Sequence, residues 1–413
     1  IPVVLTVFLA MGASDLTKKK TLTRNMKTIE TLGAVNVLCT DKTGTLTENK
    51  MEIQDMYEYS DTFIETSYLS CPTVAYDPME IAIKEYCNSK KAIRKKIEIT
   101  KEYAFTPETK MTGQIIDNKL LCVKGAYESV LPLCNLEQEI YNKIKDKIDN
   151  YSKEGFRVLA VAKQNNLETI PSTLFESKLD FEGLIALYDP PRYGVKTSLS
   201  ECYSAGVRVI MITGDNGETA KGIAKKINLE NYEQVITGNE LEKMSDEELF
   251  EAVKTVNIFA RVYPNHKMRI VNALQKDNKV VAMTGDGVND APALKKSNVG
   301  IAMGERGTNV AKESADLILL DDNFNTIVKT IENGRNIYKN IKKAISYIIA
   351  IHIPIALLSL FVPMFKLPTL LLPIHVMLLE LLIDPTSSII FQRIKPSKDI
   401  MKEQPRNIKE SII

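Results

Sequence analysis

The chain has no excess charge of either sign: 53 Lys and Arg stand against 52 Asp and Glu. Bulk electrostatics therefore gives no reason to expect a nucleic-acid partner. Six cysteines, at 39, 71, 87, 122, 134 and 202, form no C-x-x-C pair, which argues against a structural zinc site and a disulfide framework and suits a reduced, cytosolic setting. The chain also lacks an initiating methionine and a signal-peptide pattern, opening directly on apolar residues. It reads as a fragment cut inside a transmembrane helix. At 413 residues it has room for two or three domains.

What is present begins with Asp41, in Cys39-Thr40-Asp41-Lys42-Thr43-Gly44-Thr45-Leu46-Thr47, directly after an apolar run over 34–38 that reads as a buried parallel strand. A carboxylate at the carboxyl end of such a strand, followed by a glycine-bearing turn, lies where open α/β sheets place their chemistry, and is a candidate nucleophile toward a phosphoryl group. Three further runs behave alike: 206–212 ends at Thr213-Gly214-Asp215, 279–283 at Thr284-Gly285-Asp286, and 298–302 at Met303-Gly304. Helical patterns over 218–227 and 266–275 alternate with them. The spacing predicts a doubly wound parallel sheet with Asp41, Asp215 and Asp286 along one edge. Between Thr47 and Asp189 the rhythm stops, which reads as an inserted domain, and the lysine-rich stretch over 84–101 reads as a solvated face.

Two long apolar runs, 344–365 and 369–392, are separated by Lys366-Leu367-Pro368 and read as a transmembrane hairpin. Arg335, Lys339, Lys342 and Lys343 precede it, and Arg393, Lys395 and Lys398 follow, so the positive-inside rule puts both outer ends, and all that lies between the membrane segments, in the cytosol. Glu380 and Asp384 are at i, i+4 on the last apolar helix. A carboxylate near a bilayer centre costs roughly 2.5–3.5 kcal/mol, which points to cation ligation, with a helix-packing or interfacial role as the alternative.

The string DKTGTLT from Asp41, together with Thr284-Gly285-Asp286-Gly287-Val288-Asn289-Asp290-Ala291-Pro292-Ala293-Leu294, resembles the signatures of the P-type ATPases, the ion and lipid pumps that form an aspartyl-phosphate from ATP. The resemblance implies an α/β fold: a doubly wound parallel sheet, the haloacid dehalogenase-like phosphorylation domain, carrying an inserted α+β nucleotide-binding domain, plus transmembrane helices. It divides the chain into the end of a transmembrane helix (1–13), a stalk (14–30), phosphorylation-domain segments (31–54 and 189–335), the nucleotide-binding domain (55–188), a membrane hairpin (336–393) and a cytosolic loop (394–413).

The same resemblance implies ATP and Mg²⁺ as cofactors. Asp41, Asp286 and the backbone carbonyl of Thr43 would hold Mg²⁺, a hard cation that wants oxygen ligands, with Asn289 and Asp290 orienting the cluster. Lys42, Thr213, Gly214, Asp215 and Lys267 match catalytic or phosphate-contacting positions, while His266 reads as a helix-start residue. Phe105 matches the adenine-stacking ring, Lys110 and Lys124-Gly125-Ala126 other pocket residues, Glu80 the adenine-side carboxylate, and Arg157 a phosphate contact. Asp189, in Asp189-Pro190-Pro191-Arg192, matches the hinge and nucleotide side. Tyr76 replaces a usual glycine, and Tyr127 a usual proline.

Coverage runs from the end of the fourth transmembrane helix to beyond the sixth, with 400–406 resembling the loop before the seventh. The Pro-Glu ion motif would precede Pro2, and no Thr-Gly-Glu string marks an actuator domain. Partners implied are the lipid bilayer, the transported cation and the remainder of the pump, meaning its actuator domain and missing helices. The expected location is a multi-pass membrane protein with cytoplasmic catalytic domains. The ion reads as Ca²⁺ or another hard divalent cation, although Ile355 and Ile383 stand where calcium pumps have polar ligands. No Cys-Pro-Cys in the membrane segments speaks for copper or cadmium, and His352 reads as a hydrogen-bonded packing residue that could also admit a transition metal. Competing readings are a soluble phosphatase of the same fold, a transport-dead nucleotide-binding remnant and, among pumps, a lipid flippase or heavy-metal pump.

Overall fold

The apolar runs that end in glycine turns become strands of one sheet. The computed structural model describes residues 2–90, 97–106, 108–368 and 371–408, the side chains of residues 2–4, Asp384 and Ser388 excepted. Its eight-stranded sheet runs, in space, Thr21–Thr23, Leu317–Leu319, Val299–Met303, Val281–Gly285, Val37–Asp41, Arg208–Thr213, Ile258–Ala260 and Val235–Thr237. Every neighbour pair is parallel except the edge strand Thr21–Thr23, which runs antiparallel to Leu317–Leu319. Val281–Gly285 and Val299–Met303 are buried at every position, as expected of strands covered on both faces. From Val37–Asp41 the chain next enters the sheet on one side, at Arg208–Thr213, and later returns on the other, at Val281–Gly285. That reversal is a topological switch point, and Asp41 is the last residue of the strand beside it.

The strands sit two or three residues later than the apolar runs suggest: Val37–Asp41 rather than 34–38, and Val281–Gly285 rather than 279–283. Polar residues at the functional edge still pair in the sheet. Asp41 is in register with Ile212, and buried Thr40 and Thr284 meet at 3.3 Å between hydroxyl oxygens.

The chain divides into two compact units, one comprising Ile1–Leu46, Tyr193–Gly214 and Asn228–Ile413, the other Thr47–Arg192 and Asp215–Ile227. The second is wider than 55–188. Thr47 bridges Pro191, and the Glu48 N–H donates to the Pro190 carbonyl at 2.9 Å. Helix Gly217–Ile227 belongs to it through the Thr219 hydroxyl, which donates to the Phe156 carbonyl at 3.0 Å, and through Lys226, whose ammonium lies over the Phe156 and Tyr188 rings. This unit is built on an antiparallel sheet ordered Glu52–Glu58, Asp180–Tyr188, Arg157–Gln164, Leu120–Ala126, Met111–Ile116 and Ile99–Tyr103. Helix Gln138–Lys153 packs Ile144, Ile148 and Tyr151 into its core. Of the lysine-rich stretch, residues 91–96 lie outside the described ones. Lys84 and Lys101 at its ends are not free solvated charges, for they donate to the carbonyls of Thr73 (2.8 Å) and Pro171 (3.0 Å).

The hairpin also differs from its sequence outline. The run over 344–365 is only the second half of a 41-residue helix, Phe324–Met364, which starts inside the catalytic unit with Asn323 as its N-cap. Its first half escapes a hydropathy reading because it carries buried polar residues, Asn333, Arg335 and Asn340. The second helix is Pro373–Gln392, and both are long and apolar enough to cross a membrane. They leave Leu357, Leu360, Met377 and Leu381 exposed, apolar side chains of the sort a bilayer covers. The first helix, Pro2–Lys18, continues beyond residue 13. All six cysteines are free, and burial pushes the Cys39 thiol up to about 12, where it is inert.

Candidate active site

Directly after Asp41 the backbone makes a tight turn. Thr43 has φ −71° and ψ 122°, and Gly44 has φ 70° and ψ 1°, the dihedrals of a type II turn whose third residue needs positive φ and hence glycine. Lys42 and Thr45 of this turn are buried, although one is a lysine. The Asp41 N–H donates to the Thr284 hydroxyl at 3.1 Å, tying the nucleophile candidate to the neighbouring strand.

Helix Pro264–Lys276 begins with proline at its first position and a Tyr263 N–H bond to His266 Nδ1 at 3.3 Å, so His266 caps the helix. Lys267 follows in the first turn, where the helix dipole disfavours a cation. Two carboxylates compensate: Lys267 Nζ lies 3.0 Å from Asp41 Oδ2 and 2.7 Å from Asp290 Oδ1. Burial works against its charge, and Asp41 and Asp290 more than reverse that, holding the ammonium above its ordinary range. The other Asp290 oxygen accepts the Asp286 and Gly287 N–H groups at 3.1 and 3.0 Å. Asp290 thus links the lysine to the turn bearing Asp286, whereas Asn289 is exposed and its side chain bonds no described residue.

Asp286 is the electrostatic anomaly of this cluster. Burial first, then repulsion from Asp41 and Asp290, raises its pKa above the usual carboxylate range, with Arg306 and Lys267 opposing. Carboxylates that repel one another beside a sheet edge fit a divalent cation, which would relieve the repulsion. Among the described residues no three His, Cys, Asp or Glu side chains form a ready-made cage. Two carboxylates and a backbone carbonyl such as that of Thr43 are nonetheless the hard oxygen donors that Mg²⁺ takes, usually alongside water and phosphate. Thr213 ends the adjacent strand, buried, and a side chain built on Gly214 would meet open space. Asp215, expected at this edge, has its carboxylate buried against Arg157 instead. Arg157, itself partly exposed, supplies the counter-charge that the buried carboxylate needs.

In the second unit Lys124 Nζ meets Glu80 Oε1 and the Thr112 hydroxyl, both at 2.7 Å. Glu80 is in the first turn of helix Pro78–Ser89, capped by the Asp77 carboxylate accepting from the Met79 N–H at 2.7 Å. Lys110 has φ 53°, and its carbonyl accepts the Ala126 N–H at 3.0 Å; a side chain on Gly125 would come within 2.5 Å of that oxygen, which is why glycine stands there. Phe105 is 62 % exposed, a ring left free to stack. Arg157 also reaches Met79 Sδ at 3.5 Å. Asp189 accepts the Thr47 hydroxyl at 2.5 Å and the Lys50 N–H at 3.3 Å, tying the two ends of the inserted segment together. Tyr127 occupies the first position of its helix, where proline is tolerated best but not required, and Tyr76 is 85 % exposed.

On the apolar helices, His352 Nδ1 lies 2.8 Å from the Ile348 carbonyl, which can only accept, and Nε2 lies 3.5 Å from Glu380 Oε1. The side chain of Asp384 lies outside the described residues.

Sequence reasoning missed Arg306 and Asp322. Asp322 Oδ1 accepts the Gly304 N–H at 2.6 Å and the Glu305 N–H at 3.2 Å, and its Oδ2 accepts from the Arg306 N–H and Nε. Arg306 Nη2 then donates to the Gly44 carbonyl at 2.5 Å. The glycine turn at Met303-Gly304 was the only signal, and nothing local connects it to residues 44 or 322.

With this geometry established, comparison with known proteins gives two results. A haloacid dehalogenase-like hydrolase family matches residues 35–298, and a second family of the same description matches residues 266–331. All of the chain aligns with calcium-transporting ATPase 1 of Bacillus cereus at 36 % identity, with the calcium-transporting ATPase of Bacillus subtilis at 33 %, and with human calcium-transporting ATPase type 2C member 1 at 33 %. It covers 51 %, 53 % and 50 % of these proteins, so the chain spans about half the length of the curated relatives it matches.

Proposed function

Since the chain belongs to the haloacid dehalogenase-like hydrolases and, within them, to the P-type ATPases, we propose that it forms the catalytic core of an ATP-driven cation pump, with Asp41 carrying the transferred phosphoryl group. The observation that carries this reading is Lys267, a buried ammonium shared between Asp41 and Asp290 at the sheet's switch point. An Asp41 oxygen attacks the γ-phosphorus of ATP in line, forming an O–P bond as the bond to the ADP oxygen breaks. Lys267, with Lys42 and the backbone at Thr213 and Gly214, faces the charge spread over the equatorial oxygens. Asp41, Asp286 and the Thr43 carbonyl would hold Mg²⁺, and Asp290 keeps the Asp286 turn in place. When bound, Mg²⁺ neutralises phosphate charge during the transfer.

The second unit supplies the nucleotide: Phe105 stacks on adenine, Glu80, Lys110 and Lys124 surround it, and Arg157 and Asp189 act toward the phosphates and the chain crossing. Glu380 and Asp384 are the carboxylates for the transported ion within a membrane. The relatives named for calcium transport favour Ca²⁺ or another hard divalent cation. The bilayer and the remainder of the pump are the partners, and the catalytic units lie on the cytoplasmic side.

The test is phosphorylation with γ-³²P-ATP. Acid-stable, hydroxylamine-labile label in the wild-type protein, lost at least about 10³-fold in Asp41→Asn while ATP binding persists, supports the reading. Label that resists hydroxylamine and remains in Asp41→Asn rejects it.

A further inference from the structure

Three carboxylates crowd the carboxyl edge of the sheet, and Lys267 forms close ion pairs with two of them, Asp41 and Asp290, acting on the third only from a distance. The third, Asp286, has Arg306 Nη1 at 3.8 Å from its Oδ2. This guanidinium is held from behind. Its Nε and its own backbone N–H donate to Asp322 Oδ2 at 3.2 and 3.0 Å, and Asp322 is almost fully buried. From the front, Nη2 donates to the Gly44 carbonyl at 2.5 Å, inside the turn that follows Asp41. A side chain at residue 44 would collide with the guanidinium. Arg306 therefore has two firm hydrogen-bonded contacts and one loose ionic one, and the loose one is to a carboxylate suited to a divalent cation.

We propose that Arg306 is a positioning residue of the phosphoryl-transfer site: seated on Asp322, it fixes the turn at 42–45 through Gly44 and neutralises Asp286 until a divalent cation displaces it. The inference rests on the proposed function for the identity of the reaction, and on geometry alone for the competition at Asp286. A planar fork is needed because one group must reach Asp322 and the Gly44 carbonyl together; an ammonium keeps the charge but cannot span both.

The probe is Mn²⁺, measured by loss of its free electron-spin-resonance signal in chelator-treated, full-length protein. Arg306→Met should bind Mn²⁺ about 3- to 10-fold more tightly than wild type, at a site that Asp286→Asn removes, because the competing cation is gone. At saturating Mg²⁺ the same variant should form phosphoenzyme at least about 10-fold more slowly, since the turn has lost its hold. Arg306→Lys should keep Mn²⁺ affinity within about twofold of wild type and share the slow phosphorylation. Mn²⁺ affinity unchanged or weakened in Arg306→Met overturns the competition, and a wild-type rate in Arg306→Lys overturns the positioning. Should Arg306→Met not fold, as judged by circular dichroism, Arg306→Gln, which also removes the charge, takes its place in the Mn²⁺ titration with the same expected tightening and the same overturning result, and Arg306→Lys still decides the positioning through its rate. Wild-type protein that takes no label from ATP would reject the proposed function, while the Mn²⁺ titration would still judge the Arg306 contact.

Discussion

The two units hold their charged and aromatic side chains in opposite ways. In the parallel unit the charged groups come from strand ends and the helix and turn beside them, and are already bonded to one another: Lys267 to Asp41 and Asp290, Asp290 to the Asp286 turn. In the antiparallel unit Glu80 and Lys124 form one tight pair, but Phe105 stands exposed. A site that must stabilise developing charge gains from groups fixed in advance, because they need no reorganisation during the reaction. A site that only binds can leave its main surface uncovered until the ligand arrives. Damage to the first should therefore appear in rate and folding together, and damage to the second in affinity alone.

Lys267→Met breaks the comparison most strongly. It leaves half-buried Asp41 and buried Asp290 without their cation, so phosphoenzyme formation should fall by about 10²- to 10³-fold, and the melting temperature should fall with it. Rapid-quench labelling and calorimetry would read both; a full rate loss with unchanged melting would show that the lysine is not structurally coupled. Because its folded pKa is raised, the stabilisation by Lys267 is complete below the ordinary lysine range and lost only as pH climbs through the higher folded value. Melting curves for wild type minus variant should thus keep a constant gap from pH 6 to about 9.

Phe105→Ala should weaken ATP binding by about 5- to 150-fold, the equivalent of about 1–3 kcal/mol of base stacking, with no change in melting temperature. Equal affinity by calorimetry would move the base elsewhere. In the full-length protein Glu380→Gln should raise the cation concentration for half-maximal phosphorylation several-fold while leaving ATP affinity intact. Superimposable titrations over Ca²⁺, Mn²⁺ and Mg²⁺ would reduce Glu380 to a packing role beside His352.

The smallest effect belongs to Asp286→Asn. A carboxyl whose folded pKa is raised costs stability wherever it is ionised, from above its unfolded pKa upward. Without metal at neutral pH the variant should melt slightly higher than wild type, and that gain should disappear as pH falls through the carboxylate range. Added Mg²⁺ should reverse the order, raising wild type but not the variant. A variant less stable than wild type without metal would deny the repulsion at this edge.

These contrasts track what could be read in the sequence. Asp41, the turn at Thr43-Gly44, Asp286 and Asp290 lie in contiguous strings, and local backbone chemistry dictates them: positive φ calls for glycine at 44, and short carboxylates cap turns. The alternation of strands and helices was equally legible, because parallel strands buried on both faces are continuous apolar runs. Strand ends were not, since Thr40 and Asp41 extend the sheet with polar residues. Contacts of long sequence separation were also hidden. Arg157 pairing with Asp215, Asp322 organising Arg306, and the first half of the 41-residue helix all depend on partners that no local pattern announces.

The central claim is that the phosphoryl group resides on Asp41. Full-length protein labelled from ATP in Mg²⁺ and its transported cation, quenched in acid and reduced with tritiated borohydride, should yield one radioactive peptide after proteolysis. Sequenced by mass spectrometry, that peptide should carry the reduced side chain, a homoserine, at position 41. Tritium at any other carboxylate, or in no peptide while γ-phosphate is still released, would contradict the account.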